Sequence, residues 1–411
     1  MGKVSAGAAL WGWLFLLILV PAGCRQNPSA SSSAGPILRV CLMQNVDSVQ
    51  VRSSAPVVAK SSNESDSRKL NFPSGADVPV AMAAEGWQIG NVVMGGGELL
   101  IKPAREGAVS VNGKPYRGEY RLVPAAEGKF DVVNDVPMEG YLKGVLPGEL
   151  PRSWHPEAYE AQAITARTYA LFEMKTRSAG KHFDVFDDTR SQVYGGMSVE
   201  TAKSREGVDD TAGIVLAYAA PGNAPKIFKA YFSSCCGGVG QSVTDAFNEE
   251  GTPVMTEQSV GGLCNASPKY NWPPVVLSKA ELTRRVKTWG ARRNRPEKDM
   301  AMIARLDVSH INQYGRPVRF IITDTRGNRF SLSGEETRWA CNADANGGPI
   351  LLSSFFKPVN EDDAVRFTDG HGFGHGVGLC QWCTEARAEQ GMRHEDIVRL
   401  AFPRSILVAA Y

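Results

Sequence analysis

The sequence predicts an α+β protein with a mixed β-sheet core, a long helix rich in small residues, and a smaller inserted subdomain. Three observations lead there. Residues 87–133 hold short apolar runs (NVVM, ELLIK, AVSVNGKPY, GEYRLVPA and KFDVVN) broken by glycine and asparagine, as strands and turns are. Residues 156–171 place Ala158, Ala161, Ala163, Ala166 and Ala170 among Ile164, Tyr169 and Leu171, which reads as a buried helix. Residues 273–369 have a pattern of their own. A helix is expected at Leu277–Trp289, and strands at Ala304–Ser309, Val318–Asp324 and Arg329–Leu332.

Taken in order, the chain opens on Lys3 and a short apolar run, Ala8 to Val20, followed by Pro21-Ala22-Gly23-Cys24. Residues 1–24 are therefore expected to be an export signal, too short for a spanning helix. Cys24 after Ala-Gly resembles a bacterial lipoprotein site, whose thiol would be diacylated. Pro21 departs from the aliphatic residue usual there, so ordinary cleavage stays open. Residues 25–35, rich in Ser, Ala and Pro, read as a flexible tether to a domain spanning 36–411. An exported, lipid-anchored envelope protein is the resulting expectation.

Residues 37–51 alternate as two short strands would, and polar residues 53–78 read as a mobile insertion. Asn112-Gly113 is a hairpin signal. Gly144, Pro147, Gly148 and Pro151 make residues 141–151 read as loop. Pro156, Glu157 and Glu160 suit the first turn of the helix that follows. Residues 200–213 read as helix, with strands at 214–218 and 226–234. Two final helices are expected at 385–390 and 394–402.

The composition is that of a globular chain: 411 residues, 43% hydrophobic, 21% charged, formal net charge +2. Such a balance argues against a nucleic-acid binder that works by neutralising phosphates. Eight cysteines include Cys24. An oxidising compartment favours disulfides, and the odd number left leaves at least one thiol over. Cys236, Cys264, Cys380 and Cys383 could make two disulfides or a thiolate zinc site; disulfides are the expectation and no metal is assigned.

Glu149 is one carboxylate among breakers beside a rigid helix, where a general acid/base could stand, although most glutamates are simply solvated. Arg167 in so apolar a helix needs a carboxylate or several carbonyls, so it reads as a structural organiser. Asp187, Asp188 and Thr189 read as turn caps, since no glycine stands where a calcium loop needs it. In Asp369–Cys383 (DGHGFGHGVGLCQWC), glycines at alternate positions would bare one face of an extended segment. His371 and His375 have helical metal spacing, but glycine this dense will not hold a helix.

Three stretches in combination resemble the sporulation stage II protein D / amidase-enhancer family of bacterial cell-wall proteins. They are YLKGVLPGELPRSWHPEAYEAQAITARTYAL, FDVFDDTRSQVYGG and GHGFGHGVGLCQWC, with fainter echoes in KAYFSSCCGG, LSGEETRW and SSFF. The resemblance implies a peptidoglycan lytic transglycosylase in wall remodelling or sporulation, with Glu149 as its catalytic acid. Its partners would be glycan strands and a wall amidase, with no cofactor. The alternative it implies is a non-catalytic enhancer of an amidase. It further implies that Tyr231, Ser191, Gln192, Tyr194, His371, His375 and Gln381 meet substrate, with Leu150 and Trp154 also walling the cleft. Some members bind zinc around the FDV element through Cys and His; here Phe186 and Val193 stand there, so that site is absent.

Overall fold

Two β-sheets bury their apolar faces in one core. The first runs, in spatial order, Val185–Phe186, Ile37–Val46, Phe130–Pro137, Glu119–Pro124, Leu99–Pro103, Val57–Ser61 and Lys69–Phe72. The second runs Lys114–Tyr116, Val109–Val111, Ser48–Ser53, Asp77–Ala83, Gly86–Ile89 and Val92–Met94. Leu99, Ile101, Tyr120 and Phe130 of one pack with Val51, Val80, Trp87 and Val111 of the other. This computed structural model describes residues 35–411 except 64, 65, 67, 105, 106, 178, 179, 346 and 347. The expected export signal, Cys24 and nearly all of the tether lie outside the described residues.

The mixed strands and helices match the expected α+β class. Asn112-Gly113 does turn a hairpin between Val109–Val111 and Lys114–Tyr116. The polar stretch 53–78 is not an insertion but supplies two strands of the first sheet. Val57 and Ala59 alternate inward, and buried Ser61 is satisfied by donating to the Gly96 carbonyl at 2.7 Å. Their inward period of two outweighs the polar composition.

The larger correction concerns residues 141–151. Met138–Glu149 is a helix, α1, not a loop. Met138, Tyr141, Leu142, Val145 and Leu146 all fall on its buried face at helical spacing. Its glycines are packing devices rather than breakers. A Cβ on Gly144 would lie 2.7 Å from the Tyr194 ring and 2.8 Å from the Gly196 carbonyl oxygen. One on Gly148 would lie 3.1 Å from Val193. Pro147 stands in the last turn, where the helix is ending anyway.

The other helices are α2 (Pro156–Arg177), α3 (Ala202–Asp209), α4 (Val243–Phe247), α5 (Lys279–Arg292), α6 (Gly334–Asn342), α7 (Gln381–Glu389) and α8 (His394–Ala401). The small residues of α2 are buried against its neighbours, as its composition led us to expect. Arg167 of α2 is wholly buried. Its guanidinium grips Glu139 of α1 with two hydrogen bonds, 2.9 and 2.7 Å, and donates to the carbonyls of Ile214 and Val208. The Gly213 amide and the Tyr411 hydroxyl donate to the same carboxylate. A second core gathers Trp272, Leu282, Trp289, Leu306, Phe320, Phe356 and Phe367 from within residues 272–367.

Arg167→Ala should cost about 3–5 kcal/mol in urea unfolding, because it strands the Glu139 carboxylate in the core. A loss below about 1 kcal/mol would show that the pair is not the clasp described here.

Candidate active site

Glu149 ends α1 and faces a cleft of about 610 Å³. The helix delivers its carboxyl to a point where three segments converge: α1, the 187–194 loop and the start of α7. Oε1 accepts from the Val193 amide at 3.3 Å, and Oε2 accepts from the Gln381 side-chain amide at 3.1 Å. Burial raises the carboxyl above its ordinary range; the two donors, Gln381 first and then Val193, pull it back in part. A carboxyl so placed holds a proton more firmly than a solvated one. The two donors fix its orientation.

The cleft wall opposite is aromatic. Tyr231 stacks on Phe247 with centroids 4.7 Å apart, and Phe247 stacks on Trp339 at 6.1 Å. Trp339, on α6, is 36% exposed and lines the cleft. The Tyr231 hydroxyl donates to Glu249, an exposed carboxylate that also lines the cleft. Lys229 lies 3.2 Å from Glu173, with its ammonium 4.7 Å from the centroid of the Tyr231 ring. Arg190, Ser191 and Arg338 complete the polar part.

Several expected residues meet in this cleft: Glu149, Ser191, Tyr231, His375 and Gln381. Ser191 accepts from the Phe186 amide at 3.1 Å, which braces the loop. His375 presents its ring beside Tyr231 and Phe247. Its Nδ1 accepts from the Val377 amide at 3.0 Å, and the ring also bonds the Phe232 backbone. Burial lowers its pKa to about 4, so it stays neutral at ordinary pH. With both nitrogens engaged, it holds the glycine loop in place.

Other expectations need correcting. Gln192 is 1% exposed; it accepts from the Tyr141 hydroxyl and donates to the Ala166 carbonyl, behind the cleft. Tyr194 is buried over Gly144, donating to Asn134 at 3.2 Å. Leu150 and Trp154 are core residues too, Trp154 packing edge-on against Trp382 at 5.0 Å. His371 lies outside the cleft, in the strand Ala364–His371, among Phe355 and Tyr270. The glycines after it do not form one bare extended face. Gly372, Gly374, Gly376 and Gly378 all have positive φ and wind a loop into which other segments press. At Gly372, a Cβ would sit 2.6 Å from the Cys235 carbonyl oxygen.

The expected disulfides are absent as well. Cys236, Cys264, Cys380 and Cys383 do come together, but each is a free cysteine. Cys236 Sγ is 3.7 Å from Cys264 Sγ and 3.9 Å from Cys383 Sγ, well beyond a bond of about 2.05 Å. Residue-type reasoning missed Lys229, Phe247, Glu249 and Trp339. Two signals were there: Lys229 lies in KAYFSSCCGG and Trp339 in LSGEETRW.

Residues 126–218 match the model of the Stage II sporulation protein family. The chain is 27% identical over 315 residues to Stage II sporulation protein D of Bacillus subtilis, covering 73% of this chain and 81% of that one. It is 27% identical over 358 residues to the amidase enhancer of Bacillus subtilis. That match covers 78% of this chain but only about half, 48%, of the enhancer. An uncharacterized protein of Brachyspira hyodysenteriae is also 27% identical, over 71% of this chain and 72% of its own length.

Glu149→Gln should stabilise the fold at neutral pH and not in acid. The folded carboxyl titrates above its unfolded value, so its contribution is present at low pH and is lost as pH rises through the raised folded value. Thermal unfolding of both forms should therefore agree near pH 4 and diverge by about pH 8, with the variant melting higher. Equal midpoints at both ends would mean that Glu149 is not desolvated.

Proposed function

Starting from a chain that carries a Stage II sporulation protein domain, we propose that it is a peptidoglycan lytic transglycosylase with Glu149 as its acid and base. The observation that carries this reading is the half-buried Glu149 carboxyl, raised by burial and held by Val193 and Gln381 at the wall of an aromatic-lined cleft.

Protonated Glu149 gives its proton to the oxygen of a MurNAc–GlcNAc bond. That bond breaks, and the GlcNAc leaves with the proton on its new hydroxyl. Glu149, now a carboxylate, takes the proton from the C6 hydroxyl of MurNAc, whose oxygen closes on the anomeric carbon. The product is a 1,6-anhydro ring, and Glu149 is again protonated. No water is consumed, so a second carboxylate poised to activate one is not required. Phe247 and Trp339 offer flat apolar faces to the C–H side of sugar rings, while Ser191, Lys229 and Arg338 meet their hydroxyls and acyl groups. The envelope is the matching location, with the chain exported and tethered through a lipid on Cys24. Among the described residues, no helix is long and apolar enough to cross a membrane.

A second reading is favoured by the similarity to the amidase enhancer, which extends over 78% of this chain. On it, the same cleft holds glycan without cutting and brings a wall amidase to its substrate.

Glycan strands stripped of stem peptides separate the two. Wild-type protein should release anhydro-muramoyl fragments, visible by mass spectrometry, and Glu149→Gln should slow release by about 10²–10⁴-fold. Binding without release from wild type, together with stimulation of an added amidase, would replace the enzymatic reading. Trp339→Ala should raise KM about three- to tenfold with kcat little changed. A fall in kcat alone would place that ring elsewhere in the reaction.

A further inference from the structure

Five cysteines gather beside the cleft, and four of them have sulfurs within 4.8 Å of one another: Cys236, Cys264, Cys380 and Cys383. All four are buried. We propose that these four thiolates bind one zinc ion, in a structural site that braces the start of α7.

The geometry comes first. A tetrahedral ion with metal–sulfur bonds of about 2.3 Å requires sulfurs about 3.8 Å apart. Two of the separations, 3.7 and 3.9 Å, bracket that edge. A disulfide would need barely half that distance. Four protein sulfurs packed this closely leave room for one ion at their centre, not for a multi-iron cluster.

The local backbone also favours thiolates. The Cys236 amide donates to Cys380 Sγ at 3.3 Å, and the Gly238 amide bonds Cys236 Sγ. Gly237 and Gly238, both with positive φ, make the tight turn that lets an amide point back at the sulfur. Cys380 is the N-cap of α7 and Cys383 lies in its first turn, where unpaired amides favour negative charge.

A third observation is a buried cation whose hydrogen bonds, among the described residues, go to neutral acceptors. Arg316 is 1% exposed, and among the described residues it makes no ion pair. Its guanidinium donates instead to the carbonyls of Cys236, Val239 and His375 and to Ser354. Glu335 acts on it electrostatically but is ion-paired with Arg338. A zinc tetrathiolate carries two net negative charges, and Arg316 holds the carbonyl of one of its ligands, Cys236, so the two sites compensate each other. The fifth cysteine of the cluster is Cys235. Its Sγ faces the Cys264 carbonyl at 3.9 Å and is not among the four.

The site joins three stretches distant in sequence: the turn after Phe232–Ser233, the turn at Cys264, and α7. Gln381, which donates to Glu149, lies between the last two ligands. The ion therefore positions Gln381 and takes no part in the chemistry.

Elemental analysis of the full chain, purified without chelator, should give one zinc per chain. Cobalt-exchanged protein should show the intense visible bands of a tetrahedral tetrathiolate. Cys264→Ser and Cys383→Ser should lose the metal and melt lower; Cys235→Ser and Cys341→Ser should keep it. If the first two variants do not fold, the zinc content and cobalt spectrum of the wild type decide the matter. Metal-free protein, with Cys236–Cys264 or Cys380–Cys383 recovered as disulfide peptides or with all four thiols free to alkylation, would overturn the proposal.

Discussion

Two buried hydrogen bonds between Arg167 and Glu139 clasp α2 to the first turn of α1. Everything at the cleft depends on that clasp. The start of α1 is fixed by an ion pair, and its far end carries Glu149. Since a helix of twelve residues is stiff over its length, anchoring one end aims the other. The same carboxylate collects the Gly213 amide and the Tyr411 hydroxyl, so chain from both later halves converges on it. Fully satisfied, such a network rigidifies; with one partner missing, it becomes a liability.

The cleft divides its tasks between two environments. Around Glu149 the protein withdraws water and returns two donors, which holds a proton on the carboxyl more firmly than solvent would. Across the cleft, Tyr231, Phe247 and Trp339 form a stacked series of apolar faces. His375, neutral and doubly engaged, is a fixed post between the two.

Much of the fold was legible because its signals are local. The small-residue period of α2, the Asn112-Gly113 turn and the strand Ile214–Tyr218 come from spacing alone. The misreading of α1 has a specific cause. Gly144, Pro147 and Gly148 carry loop propensity, yet Tyr194 presses on Gly144 too near for a Cβ, Val193 packs tightly on Gly148, and the apolar period of Met138 to Leu146 prevails. At the site, Glu149 and Gln381 were legible through the resemblance. The inward turn of Gln192 and Tyr194 was not, because neighbouring residues on one loop face opposite ways and only packing decides which way. The four cysteines could be grouped from sequence, but their separations could not be read there.

Trp339 has a consequence of its own. It reaches the cleft from α6, whose inner face belongs to the second core, whereas Glu149 stands on the first. Trp339 and Glu149 thus rest on separately packed foundations, bridged by Phe247, which packs against the first core and stacks on Trp339. A substitution within residues 272–367 can therefore shift the Trp339 face while the packing beneath Glu149 stays as it is.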